Sequence, residues 1–247
     1  MSKFYTTYAA LYDAAFDWDD RDKVVAIAGL SRLASGRVLE PMCGSGRLAA
    51  AFAAEGFETI GVDSSRAMLD LAQARFARLG LDGEWLEADV RHFDLDQACD
   101  LAVCPINSLA HLPTREAMLA HLETTARNLY SGASYWIQLD LKQPADVGGA
   151  ETWDFDYRGE TVQIEWSCGD YRDGFETHVT RYRFPDGRIE EERDTMKVWS
   201  FAEWTALLAR TSFTLACAYT GHSFAPLPCD ESLNGAHVFW QQLIKLR

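Results

Sequence analysis

The stretch Arg37-Val38-Leu39-Glu40-Pro41-Met42-Cys43-Gly44-Ser45-Gly46-Arg47-Leu48-Ala49 constrains this chain more than any other, because a short apolar strand runs there into a glycine turn and then a helix. Gly44 and Gly46, one residue apart, let the backbone turn sharply and approach a ligand closely, and the helix that follows offers free N–H groups at its N-terminus. By itself such a turn fits a purely structural role, a dinucleotide site or another nucleoside cofactor. Glu40 separates the last two. It closes the strand just ahead of the turn, where a pyrophosphate would meet like charge and an ammonium or sulfonium would be stabilised. Charge therefore argues for S-adenosylmethionine over NAD, with an NAD-dependent oxidoreductase as the rival.

The segments that follow keep the same alternation of strand and helix. Glu58-Thr59-Ile60-Gly61-Val62-Asp63 reads as a second strand ending in an acid, about 17 residues after Gly46, where a doubly wound fold places the acceptor of the ribose hydroxyls. Ser64-Ser65 caps a helix that starts with Arg66-Ala67-Met68 and ends at Gly80. Met68, ordinarily a core residue, is also placed to meet an adenine face. Trp85-Leu86-Glu87-Ala88-Asp89-Val90 reads as a third strand, with Asp89 an acceptor for the adenine amino group and the Val90 amide at the ring; a turn-capping aspartate is the alternative. Cys99 to Cys104 is a fourth strand, and Pro105-Ile106-Asn107-Ser108-Leu109-Ala110-His111-Leu112 leaves from its carboxyl end, where open α/β sheets place their chemistry. A helix capped by Thr114 runs to a turn at Ser131-Gly132, and Tyr135-Trp136-Ile137-Gln138-Leu139-Asp140-Leu141 is the fifth strand.

After Pro144 the period drops to two. Four segments between residues 152 and 199 alternate apolar and polar residues, separated by turns at Arg158-Gly159, Asp173-Gly174 and Asp186-Gly187, which predicts an inserted antiparallel meander. Helical spacing returns at Ser200-Phe201-Ala202-Glu203-Trp204, and two late strands at 213–219 and 236–244 rejoin the main sheet. At the other end, Tyr5, Tyr8, Leu11, Tyr12 and Phe16 recur at helical spacing, and Val24 to Leu30 forms a second helix. Such an aromatic stripe is more often packing than chemistry, yet it leaves room for one tyrosine to face a ligand.

The net charge of −14 repels a phosphate backbone, and no basic stripe with interleaved aromatics offsets it, so nucleic acid is excluded as a partner. No apolar run approaches the roughly 20 residues that cross a bilayer, and no signal-peptide pattern is present, so a cytoplasmic protein without a membrane partner is expected. Six cysteines are scattered without a C-x-x-C pair and read as reduced thiols. His178, His222 and His237 lie far apart in sequence, so no metal site is expected.

Together, Leu39-Glu40-Pro41-Met42-Cys43-Gly44-Ser45-Gly46, Val62-Asp63 and Ala88-Asp89-Val90 resemble the motifs of the class I S-adenosylmethionine-dependent methyltransferases, in detail over residues 37–141. The resemblance implies a doubly wound, Rossmann-like seven-stranded α/β sheet of order 3-2-1-4-5-7-6, the last strand antiparallel, with the antiparallel insertion after strand five as a lid. The division implied is a helical cap at 1–34, a cofactor domain at 35–143 and 200–247, and a lid at 144–199. The insertion looks like that of the small-molecule N-methyltransferases of aminosugar and glycine type. The aminosugar enzymes carry Leu-Tyr-Asp near the N-terminus and Gly-His-Leu after strand four, matched here by Leu11-Tyr12-Asp13 and Ala110-His111-Leu112. Ala110 departs from the glycine and leaves His111 in register. Asp-Pro-Pro-Tyr, the mark of adenine-directed enzymes, is replaced by Cys104-Pro105-Ile106-Asn107.

The expected cofactor residues are Glu40, Cys43, Gly44, Gly46, Asp63, Ser64, Met68, Ala88, Asp89, Val90, Pro105 and Asn107. His111 and Tyr12 are the expected catalytic residues, the former because an imidazole titrates near the working pH; Tyr5, Tyr8, Asn107 and Trp153 are expected to meet the acceptor. The activity expected is in-line methyl transfer to a small-molecule amine or heterocyclic nitrogen, leaving S-adenosylhomocysteine, by a monomer or a homodimer through the inserted sheet. A small-molecule O-methyltransferase and a non-catalytic cofactor-binding regulator are the alternatives.

Overall fold

The computed structural model describes residues 2–236 and 239–246. After a short 3-10 turn at Lys3–Tyr5, the chain forms α1 (Ala9–Ala15), α2 (Arg21–Leu30), β1 (Arg37–Pro41), α3 (Arg47–Ala54), β2 (Glu58–Asp63), α4 (Arg66–Leu79), β3 (Glu84–Glu87), β4 (Cys99–Cys104), α5 (Arg115–Arg127) and β5 (Leu129–Ile137). The insertion holds β6 (Gly149–Tyr157), β7 (Glu160–Arg172), β8 (Phe175–Arg183) and β9 (Ile189–Lys197); α6 (Phe201–Leu208), β10 (Phe213–Thr220), β11 (Pro226–Leu227) and β12 (Phe239–Lys245) complete the chain.

The main sheet has the order β3-β2-β1-β4-β5-β12-β10-β11. Its first five strands are parallel, and β12 runs antiparallel to both neighbours. This is the expected seven-stranded order, extended by the two-residue edge strand β11. The central strands are mainly apolar because helices cover both faces, with charged residues such as Arg37, Glu40, Glu58, Asp63 and Asp100 at or near their ends. Along β4 the side chains divide by alternation: Leu101 and Val103 pack with Val24 and Ile27 of α2 and Leu48 and Phe52 of α3, while Ala102 and Cys104 pack with Met118 and Leu122 of α5 and Trp204 of α6. No helix among the described residues is long and apolar enough to cross a membrane.

Two boundaries differ from expectation. The third strand stops at Glu87 instead of reaching Val90, because the Ala88 N–H makes a last bond to Asp63 O and the Asp89 carboxylate then accepts the Arg91 N–H, turning the chain. The helix expected to run to Ser131-Gly132 ends at Arg127, and β5 begins at Leu129. Pairing with β4 jumps from Cys99↔Leu129 to Leu101↔Ser134, so Ser131-Gly132 forms a bulge inside the strand, with Gly132 at φ +83°. The sheet ladder outweighs the local turn signal there. Of the late strand expected at 236–244, residues 239–245 form β12; His237 lies outside the described residues.

The inserted strands form a separate sheet of order β6-β7-β8-β9, antiparallel throughout. Its Val162, Ile164, Tyr182 and Phe184 bury themselves against Phe4, Leu11 and Ala15 of the N-terminal segment. The N-terminal helix and the insertion, more than a hundred residues apart in sequence, thus share one apolar core above the glycine turn. Glu190 and Glu192 of β9 clamp this arrangement: Tyr8 Oη donates to Glu190 at 2.6 Å, and Ser2 Oγ and Lys3 N donate to Glu192 at 3.1 and 3.0 Å.

Candidate active site

Between the carboxyl ends of the parallel strands and the inserted sheet lies one cavity of about 630 Å³, within the size range of small-molecule sites. The glycine turn forms its floor. Met42, Gly44 and Gly46 all take positive φ (58°, 52° and 66°), which coils the backbone tightly between β1 and α3. A Cβ on Gly44 would meet nothing within 4 Å, whereas one on Gly46 would come within 2.6 Å of the Trp85 ring. Gly44 therefore borders open space, and Gly46 serves the packing of the turn onto Trp85.

The acids around the floor are held in different ways. Glu40 is 4% exposed, and its Oε2 accepts the Ala49 N–H at 2.8 Å. Burial pushes its carboxyl up to about 8, against the pull of that hydrogen bond, and among the described residues it has no ion-pair partner. Asp63 accepts the N–H of Gly44 on Oδ2 and that of Ser65 on Oδ1, each at 2.8 Å, and burial raises its carboxyl against these bonds. Each oxygen keeps a further lone pair for a hydroxyl. Asp89 is gripped by the Arg91 guanidinium and backbone, which lowers its carboxyl to about 2. Beneath it, the imidazole of His121 on α5 bridges the Val90 carbonyl at 3.1 Å and the Tyr135 hydroxyl at 2.8 Å, fixing the turn from inside the core.

At the opposite end, Tyr5 Oη and His111 Nε2 lie 3.1 Å apart, with the rings edge to face. Tyr12 meets Tyr5 edge-on at 5.2 Å and stacks near Phe16 at 4.5 Å. Burial lowers the His111 pKa, while the nearby charge of Asp194 acts in the other direction. The loop carrying His111 is strained: Ile106 and Asn107 have φ of 48° and 57°, an unfavourable conformation for a β-branched residue. Gln138, just beyond β5, holds it in place by accepting the Ile106 N–H at 2.8 Å.

Of the residues expected from sequence, the cavity wall includes Glu40, Cys43, Gly44, Asp63, Ser64, Met68, Asp89, Val90, Pro105, His111, Tyr12 and Tyr5. Five lie off it. Gly46 packs on Trp85. Ala88 packs against the main core, and Asn107 turns its Oδ1 to the Asp140 N–H at 3.0 Å. Tyr8 is taken by Glu190, and Trp153 donates to the Ala15 carbonyl and packs on Phe16 and Trp18. Sequence reasoning missed Phe16, Arg47, Ile106, Arg91 and Asp194 on the wall. Phe16 belonged to the aromatic stripe; nothing local distinguishes Asp194 among the acids of β9.

Strand pairing also gathers Cys168, Glu176 and His178, whose ligating atoms lie within 4.8 Å of one another. Sequence distance concealed this, because Cys168 and His178 face each other across β7 and β8. Lys142 Nζ already lies 2.8 Å from Glu176 Oε1, so an ammonium balances the buried carboxylate where a metal ion would sit.

The comparisons agree with this architecture. Residues 38–131 match a family described as a methyltransferase domain. The chain is similar to the cypemycin N-terminal methyltransferase of a Streptomyces species, 32% identical over 124 residues, which are 50% of this chain and 49% of that protein; the match thus spans about half the length of the curated relative. Among solved structures it is similar to the SAM-bound amino pentose methyltransferase CalS10 of Micromonospora echinaspora, with TM-score 0.74 and 20% identity over 97% of both chains. It is also similar to the sugar N-methyltransferase KedS8 of Streptoalloteichus, with TM-score 0.75 and 16% identity over 97% of this chain and 93% of the other. Residues 38–131 therefore match a methyltransferase domain, and the chain shares the fold of the methyltransferases CalS10 and KedS8.

Proposed function

We propose that this protein transfers a methyl group from S-adenosylmethionine to the nitrogen of a small-molecule amine. The observation that carries the reading is the single cavity joining the glycine turn and its acids to Tyr5, Tyr12 and His111 under the inserted sheet. The donor set fits the cofactor. Glu40 is a buried carboxylate with no ion-pair partner among the described residues, suited to a cationic methionine end. Asp63 keeps lone pairs for ribose hydroxyls, and Met68, Asp89 and Val90 frame a site for the adenine. When bound, the cofactor supplies an electrophilic methyl carbon, whose bond to sulfur breaks as the bond to nitrogen forms.

This chain's residues would position the nitrogen and receive its proton. Holding the nucleophile in line supplies about 7 to 11 kcal/mol of such a barrier, and the walls formed by Tyr12, Phe16 and the lid keep water from competing. A proton leaving the amine reaches His111 Nε2 through the Tyr5 hydroxyl, and burial keeps that imidazole neutral and able to accept it. The similar proteins, an N-terminal methyltransferase and a sugar N-methyltransferase, support nitrogen over oxygen as the acceptor.

Incubating the protein with methyl-labelled S-adenosylmethionine and a panel of small amines and alcohols tests the reading. Labelled amine products are expected; label carried only by alcohols would move the reading to O-methylation. Cofactor binding without any labelled product would leave a binding protein.

A further inference from the structure

The inserted sheet contributes one charged group to the cavity whose function is not explained by the cofactor. On β9, Glu190, Glu192 and Asp194 stand at alternate positions and so share one face. Glu190 and Glu192 are consumed by Tyr8, Ser2 and Lys3. Asp194, next along the same face and paired across the ladder with His178, reaches the cavity wall instead. The other acids of the wall have partners: Asp13 pairs with Arg75, Asp89 with Arg91, Asp63 with two backbone N–H groups and Glu40 with the Ala49 N–H. Among the described residues the Asp194 side chain makes no hydrogen bond and no ion pair. Its charge is felt by Tyr5, Tyr12 and His111, which places it at the acceptor end of the cavity.

We propose that Asp194 is the acceptor-recognition group of this site, its carboxylate receiving the charged nitrogen of the acceptor, so that the protein selects amines that arrive as cations over neutral hydroxyl isosteres and over acids. The inference rests on the methyl-transfer reading and names its substrate class. A half-buried carboxylate without a partner is costly, and a charge-assisted hydrogen bond from an ammonium removes that cost while orienting the nitrogen. The two tyrosine hydroxyls and His111 beside it supply the remaining polar contacts. Bound in this way, the ammonium gives one proton to the Tyr5–His111 pair before nitrogen can attack, so recognition and activation use adjacent groups.

The test uses Asp194→Asn, which keeps the side-chain size and removes its charge. Glucosamine, glucose and glucuronate serve as cationic, neutral and anionic probes of one ring size. Calorimetric titration of each into the full-length protein saturated with S-adenosylhomocysteine reads recognition without turnover, and transfer of labelled methyl to glucosamine reads KM and kcat. The wild type is expected to bind glucosamine more tightly than glucose or glucuronate, and Asp194→Asn to weaken glucosamine by about 10- to 100-fold, mainly in KM, with S-adenosylhomocysteine affinity and thermal stability retained. Equal binding of the three probes by the wild type, or unchanged glucosamine binding by the variant, overturns the inference. Selective binding that depends on Asp194 but leads to no methylated product retains the recognition role and removes the methyl-transfer reading, so the two fail separately.

Discussion

Glu40 is buried at the mouth of the glycine turn with its carboxyl raised to about 8. A raised pKa means that the folded protein holds the proton more tightly than the unfolded chain, so this contribution to stability is complete below the ordinary carboxyl range and is lost as pH rises through about 8. A cationic ligand reverses the preference. Binding of S-adenosylmethionine at pH 7 is therefore expected to release up to about one proton, seen as a dependence of the calorimetric heat on buffer ionisation enthalpy, and Glu40→Gln is expected to abolish that dependence. Asp63→Ala removes the acceptor of the Gly44 N–H and, on the proposed reading, of the ribose hydroxyls; a weakening of S-adenosylhomocysteine binding by about 10- to 100-fold is expected by calorimetry. His111→Ala should leave that affinity in place and lower kcat by about 100-fold or more. A wild-type rate in that variant would remove His111 from the chemistry. Glu40 and Asp63 were legible because short strands with acidic ends are local patterns, and His111 was singled out by the family resemblance and its imidazole. Asp194 was not, since its neighbours Glu190 and Glu192 share its type and spacing and differ only in what they meet.

At the scale of elements, the turn after β3 is held from α5. His121 is fully buried, joins the Val90 carbonyl to the Tyr135 hydroxyl on β5, and is lowered by burial to about 4. A depressed histidine pKa means that the unfolded chain binds the proton more tightly, so its contribution is complete above about 6.5 and is lost as pH falls towards 4. The loss is about 3 kcal/mol across that window. Glu40 titrates with the opposite sign between roughly 4.5 and 8, so urea denaturation is best compared in a Glu40→Gln background. There, stability is expected to fall from pH 6.5 to 4, and further substitution His121→Gln to flatten the slope. The sequence placed α5 by its Thr114 cap and periodic leucines, yet gave His121 no distinction from a surface histidine. What sets it apart is contact with the turn after β3 and with β5, 31 and 14 residues away.

For the whole molecule, the inserted sheet is fastened to the main body at two places. One is the apolar core shared with the N-terminal helix. The other is the buried pair of Lys142, just beyond β5, and Glu176 on β8, with side chains 8% and 3% exposed. Replacing one member strands the other charge in a dry environment. Lys142→Met is expected to lower stability by about 3 to 5 kcal/mol in urea denaturation, and Lys142→Met with Glu176→Gln to recover part of that loss. An unchanged midpoint in the single variant would show that the pair is solvated in solution and does not anchor the lid.

The strand order in the sheet was implied by the family resemblance; the sequence by itself determined the alternation of strands and helices along the chain, the glycine turn, the acids at the strand ends and the existence of an antiparallel insertion. Each of these depends on hydrophobic period, caps and turn residues within a few positions of one another. Only the tertiary structure decided where the insertion lands. Because β6 to β9 pack on α1 across the mouth of the main sheet, Trp153 and Tyr8 become part of the packing, Cys168 and His178 meet, and Asp194 faces Tyr5, Tyr12 and His111. Those meetings arise from burying two apolar faces distant in the chain, and no local pattern encodes which polar residues such burial brings together.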